Sequence, residues 1–252
     1  MSVSSSRTLT RILRAELDKF MTLPSVWLTL GGTFLLNFGI TAAYVSLGLQ
    51  AAEGTQPILN LGLSSMRYLQ AGFMILGILA ACSEYSEGQI RTTLTAMPWR
   101  GLQFITKHLA LTMITIPAAL LMIASSVLYT WFRMRDTAAG FDTAPMIGVL
   151  AGATGYLTLT ALLSAAVGAL IRRTTRALVV LLGYYFVVSP MTENSRFQFK
   201  NILPETAGSY MYLAPSSEGP NSLTPLQGTG ILMVWALIFI AVAVVFYRKR
   251  DA

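Results

Sequence analysis

Charge is scarce in this sequence. Only 12% of its 252 residues are Asp, Glu, Lys or Arg, about half the share of an ordinary soluble domain. Cysteine is scarcer still: Cys82 stands alone, so no internal disulfide framework holds the fold. The single histidine, His108, excludes the His clusters of an intramembrane metalloenzyme. None of the four lysines, Lys19, Lys107, Lys200 and Lys249, follows a glycine, so the phosphate loop of P-loop ATPases is missing. There is no CxxC, no nucleophile elbow and no pair of carboxylates in a domain large enough to form a pocket. If the chain does energised work, another polypeptide supplies the energy.

What is abundant is apolar surface. Hydrophobic residues make up 54% of the chain and the mean hydropathy is +0.60. They come in long blocks rather than at amphipathic spacing, and such blocks need lipid around them. Crossing about 30 Å of hydrocarbon takes around 20 residues at 1.5 Å each. Six blocks qualify, near residues 25–49, 66–83, 103–132, 145–171, 177–191 and 228–247. The predicted fold is an all-α integral membrane protein: one domain over 1–252 with six transmembrane helices. The first block, about 25 residues, exceeds the 7–15 of a signal-peptide h-region and reads as a retained span.

Basic residues orient the spans. With both ends inside, thirteen of the 18 Lys and Arg side chains fall on the inner side, including Arg91, Arg100, Arg172, Arg173, Arg176 and Arg248 to Arg250. Arg67, Arg133, Arg135, Arg196 and Lys200 fall outside. This positive-inside bias fits six spans, cytoplasmic termini and a cell (inner or plasma) membrane. It also accounts for the net charge of +7 without nucleic acid as a partner.

Ahead of the first span, Leu9, Ile12, Leu13, Leu17, Phe20 and Met21 recur at helical spacing opposite Arg7, Arg11, Arg14 and Asp18. The pattern predicts an amphipathic helix over 5–21 in the cytoplasmic interface; Arg11, Arg14, Glu16 and Lys19 are its candidate functional residues. Pro24 breaks it, and Ser25 is placed to cap the first span. Toward the other end, the loop 190–227 holds five prolines. Ile202, Leu203, Tyr210, Met211, Tyr212 and Leu213 suit short helices that dip into the outer leaflet or cap the bundle.

No block carries an ionisable residue near its middle, whereas ion-coupled transporters and proton relays mark themselves there. His108 is expected to be solvated or lipid-facing at the inner end of the third span, and Cys82 to be a small apolar residue. Gly152, Thr154, Gly155, Thr158, Thr160 and Ser164 suit close helix packing. The twelve methionines and Tyr184 and Tyr185 could line an adaptable amphiphile path or face lipid.

The largest inner loop reads SEYSEGQIRTTLTAMPWRG from Ser83 to Gly101. It predicts the end of span two, a bend at Gly88, and a short cytoplasmic helix stopped by Pro98, with Ile90, Leu94 and Met97 on one face. That face suits a groove on a cytoplasmic partner or floats on lipid headgroups. The order of acidic residue, Gly, Thr/Leu-rich turn, Pro and basic residue resembles the loop after span two of ABC-2-type transporter permeases. Here those positions are Glu84 and Glu87, Gly88, Thr92 to Leu94, Pro98 and Arg100. The stretch RAELDKFMTLPSVW, Arg14 to Trp27, is similar to the helix that precedes span one in that family.

The resemblance implies a division of labour. Two permease chains, identical or related, form the membrane channel, and a separate cytoplasmic P-loop ATPase binds ATP and Mg. This chain itself would carry no cofactor, metal or catalytic residue. The ATPase would grip a coupling loop of Glu84, Glu87, Gly88, Arg91, Leu94, Pro98 and Arg100, together with the N-terminal helix. Such permeases are mostly exporters, and the expected cargo is a hydrophobic or amphiphilic compound such as a drug or peptide antibiotic. The alternatives are a small secondary transporter or channel, a membrane scaffold without transport, and a polytopic enzyme.

Overall fold

The structure, a computed structural model, describes residues 2–47, 57–86, 100–134, 144–193, 200–213 and 223–250. Among these every regular element is helical. Six segments are long and apolar enough to cross a bilayer: Pro24–Ser46, Ile58–Ser83, Gly101–Met134, Met146–Ile171, Thr174–Thr192 and Pro225–Phe246. The chain is a multi-pass membrane protein.

Helix α1 (Ser2–Thr22) and α2 (Pro24–Ser46) meet at Leu23, which has an extended backbone and no side-chain cap. Proline at the first position of α2 fixes its φ and has no N–H to leave unpaired. Pro24 therefore breaks the chain where expected, but Ser25 does not cap: it lies inside the helix and its carbonyl accepts from the Thr29 hydroxyl at 2.8 Å. The second crossing is α3 (Pro57–Gly62), a tight turn and α4 (Met66–Ser86). The third is α5 (Arg100–Met134), which tolerates Pro117 in its interior, and the fourth is α6 (Ala144–Ile171).

The fifth crossing is composite: α7 (Thr174–Gly183), a π-helical turn at Tyr184–Val188, and α8 (Ser189–Glu193). A single 3₁₀ turn at Lys200–Ile202 and α9 (Pro204–Ser209) follow, and α10 (Pro225–Arg250) is the last crossing. The end of the bundle carrying α1 and the end of α10 is termed basal; the opposite end, with α9, is apical.

Helix α6 is the axis of the bundle, packed by α4, α5, α7 and α10. Four of its buried positions are alanine, which lets neighbouring helices approach: Ala153, Ala161, Ala165 and Ala166 are at most 1% exposed. Facing it, Gly77 of α4 sits so close to the Ala161 carbonyl that a Cβ would collide. Backbone contact of this kind replaces the hydrophobic driving force that lipid removes. Leucines and valines that the bundle cannot bury face outward, among them Leu28, Leu35, Val179 and Leu237.

Polar side chains fasten the apical half. Asn37 of α2, fully buried, donates to the Met122 carbonyl at 3.0 Å and to Ser126 Oγ at 2.6 Å on α5. Its Oδ1 accepts from Ser65 at 2.6 Å. Thr41 extends the set to Ser65 at 3.3 Å.

Candidate functional site

The basal end holds the predicted coupling elements. Glu84 falls in the last turn of α4 and Arg100 opens α5. Glu87, Gly88, Arg91, Leu94 and Pro98 lie outside the described residues. Helix α1 packs along α5, burying Ile12 and Phe20, with Leu13 and Leu17 partly buried against the same core. Arg11 and Arg14 are exposed. Glu16 belongs to the packed side, 4% exposed, and its Oε1 accepts from Lys19 Nζ at 3.2 Å. At 100° per residue Glu16 falls between Ile12 and Phe20, so the packed stripe of this helix is apolar with one carboxylate set into it.

His108 departs from expectation. It is 8% exposed, its Nδ1 lies 2.9 Å from the Phe104 carbonyl, and its ring stacks at a tilt on Phe104 with centroids 4.4 Å apart. Packing of α5 into the bundle takes the imidazole away from solvent and lipid. Cys82 is a buried thiol whose Sγ lies 3.4 Å from the Gly168 carbonyl.

A second buried polar cluster lies at the apical end, where the chain after α8 folds back into the bundle. The segment Pro204–Gly208 is buried, while Ile202 and Leu213 are 50% and 44% exposed. Of the apolar residues in this loop, Met211 is buried at 5% exposure and Tyr212 packs against the same core, so the buried face combines them with Pro204–Gly208. Glycine permits the close approach: the Gly208 position allows the Tyr156 ring against the α9 backbone, and Gly152 and Gly228 lie against the Met211 and Ala207 carbonyls. A Cβ at any of the three would collide, so the hairpin wedges between α6 and α10 only as bare backbone. Ala207 N–H bonds to Leu203 O at 2.9 Å, Met211 N–H to Gly208 O at 3.1 Å, and the Trp235 indole N–H to Ile202 O at 2.8 Å. Irregular backbone at membrane depth requires such internal partners. Trp235 is ten residues into α10, about 15 Å from its apical end.

The wedge carries Glu205 into the core. Its side chain is 8% exposed, and its Oε1 lies 3.7 Å from Arg67, which is 45% exposed at the apical start of α4. The phenols of Tyr156, Tyr184 and Tyr185 are within electrostatic reach of the carboxylate. Tyr184 and Tyr185 stand perpendicular at 5.0 Å, and Tyr156 faces Tyr212 at 5.4 Å. The π turn brings both neighbouring tyrosines to one site, a use frequent at functional positions. Among the described residues, the buried hydroxyls of Tyr184, Ser189 and Thr206 have no hydrogen-bond partner. Such orphaned donors mark places that water or a ligand completes.

No family model matches the chain, and no curated protein matches it at a significant level. The site must therefore be read from its chemistry. Among the described residues, no three His, Cys, Asp or Glu side chains gather as a metal-ligand set. The apical cluster is a carboxylate and four aromatic hydroxyls under a backbone wedge, an arrangement suited to binding and gating. The sequence leaves Tyr184 and Tyr185 open to either a path or lipid, whereas Tyr185 is buried in the bundle, and it leaves Glu205 in the loop. The available signal was the run Pro204 to Gly208, which combines a helix-starting proline with the small residues a close approach requires.

Proposed function

We propose that the chain is the membrane-spanning subunit of an ATP-driven, ABC-2-type transporter. It exports a hydrophobic or amphiphilic compound, such as a drug or peptide antibiotic, across the cell membrane. ATP and Mg are held by a separate cytoplasmic ATPase, and a second permease chain completes the channel. The observation that carries this reading is the seating of α1 along α5. A push on α1, or on the segment 87–99 that leads into α5, is transmitted directly to a helix of 35 residues. The basal end would then face the cytoplasm, and the Glu205 wedge would close the outer end of the path.

The test is whether the reading frame beside this one encodes a P-loop ATPase that co-purifies with the chain, followed by ATPase assays of the reconstituted complex. Glu84→Ala, Glu87→Ala and Arg100→Ala combined should abolish substrate-stimulated hydrolysis while basal hydrolysis by the ATPase persists. Stimulation that survives the triple change refutes the coupling assignment.

Glu205 favours a second reading, a proton-coupled secondary transporter, because a carboxylate does enter the bundle after all. Proteoliposomes holding this chain alone separate the two. Uptake driven by a pH gradient, and lost in Glu205→Gln, would support the second reading and remove the need for an ATPase.

A further inference from the structure

The outward side of the apical hairpin differs in kind from its Glu205 side. Ile202 and Leu223 close one edge of a groove along α10 whose remaining wall is Gln227, Gly230, Ile231, Val234, Trp235 and Ile238, with a volume of about 640 Å³. Gly230 makes the depression: a Cβ there would meet nothing within 4 Å. The indole N–H of Trp235 is taken by Ile202 O, so the ring offers the groove only its apolar face. Gln227 supplies the one polar side chain, and it sits at the apical mouth, in the first turn of α10.

We infer that this groove holds one acyl chain of an amphiphile in the leaflet at the apical end, with the polar head beside Gln227. Three properties select that occupant. The wall from Gln227 to Ile238 runs about 16 Å along the helix, the depth of one leaflet of a hydrocarbon core about 30 Å thick. Below its mouth the groove has no polar side chain to hold a hydrated ligand. Its volume is that of a small-molecule site, whereas the helix of a second copy, 10–12 Å across, rests on the rim without filling it. The inference rests on the bilayer-spanning fold and not on the ATP-driven reading, so either can fail without the other.

The full chain keeping Trp235 as its only tryptophan (Trp27→Phe, Trp99→Phe, Trp131→Phe) is reconstituted with phosphatidylcholine brominated at mid-chain. It is then diluted into unbrominated vesicles. A bound chain leaves a component of Trp235 quenching that persists after dilution, whereas annular lipid exchanges away. Gly230→Leu should lose that component, and Gly39→Leu, at an equally open glycine on α2, should keep it. Native mass spectrometry of the chain with all its tryptophans should show one retained phospholipid, which removes any dependence on how the variants fold. Absence of persistent quenching and of retained lipid overturns the inference. So does efficient disulfide pairing of Val234→Cys between copies without retained lipid, which assigns the groove to a second chain.

Discussion

Glu205 Oε1 and the Arg67 guanidinium lie 3.7 Å apart, the carboxylate buried and the arginine nearly half exposed. The pair joins the apical hairpin to the start of α4, two elements 138 residues apart in the chain. Its asymmetry decides its energetics. Arg67 keeps much of its hydration, whereas Glu205 depends on the protein for its compensation, so losing the arginine costs more than losing the acid.

Arg67→Ala should therefore lower stability by about 1–3 kcal/mol, less than for a fully buried pair because Arg67 is half exposed. Glu205→Gln should cost less, and the double variant Arg67→Ala/Glu205→Gln should lose less than the sum of the two single losses. Denaturant unfolding in mixed micelles measures the cycle. A double-variant loss equal to that sum would show that the pair contributes no coupling.

Glycine substitutions separate contact from composition. Gly208→Ala drives a Cβ into the Tyr156 ring and Gly77→Ala drives one into the Ala161 carbonyl; each should cost about 1–3 kcal/mol. Gly39→Ala meets open space and should be neutral or stabilising by about 0.5–1 kcal/mol. Thermal unfolding of the purified chain orders the three. A Gly208→Ala variant as stable as Gly39→Ala would remove the wedge from its position.

The Asn37 junction predicts a polar contribution within the apolar bundle. Asn37→Leu removes bonds to Met122, Ser126 and Ser65 and should cost about 1–2 kcal/mol, the usual scale for hydrogen bonds between membrane helices. Changing Ser126→Ala as well should add little, since both act through one contact. Additive losses would place the two residues in separate networks.

Cys82, 1% exposed between α4 and α6, is a built-in reporter of that seam. The folded chain should resist maleimide on the time scale in which the denatured chain labels completely. Rapid stoichiometric labelling of the folded protein would mean that the seam opens readily.

The sequence by itself determined that the chain spans a membrane and where it does so. Five of the six apolar blocks mark the crossings within about three residues, because a span is a local property: enough consecutive apolar residues to match the hydrocarbon thickness. The second begins eight residues earlier than its block, at Ile58, since the short helix α3 and a turn precede α4, and the fifth extends its short block back to Thr174. The helix before Pro24 was equally legible from its periodicity, although its packed stripe includes Glu16. Tertiary structure decided what the crossings enclose. His108 became buried because α5 turns that face to its neighbours, and Glu205 entered the core because Gly152, Gly208 and Gly228 let backbone pass where side chains could not. Neither outcome follows from span composition, because burial of a polar group depends on which distant surfaces can approach it. The six blocks keep their uncharged middles, and the fold adds at the apical end a buried carboxylate, Glu205, delivered from outside them.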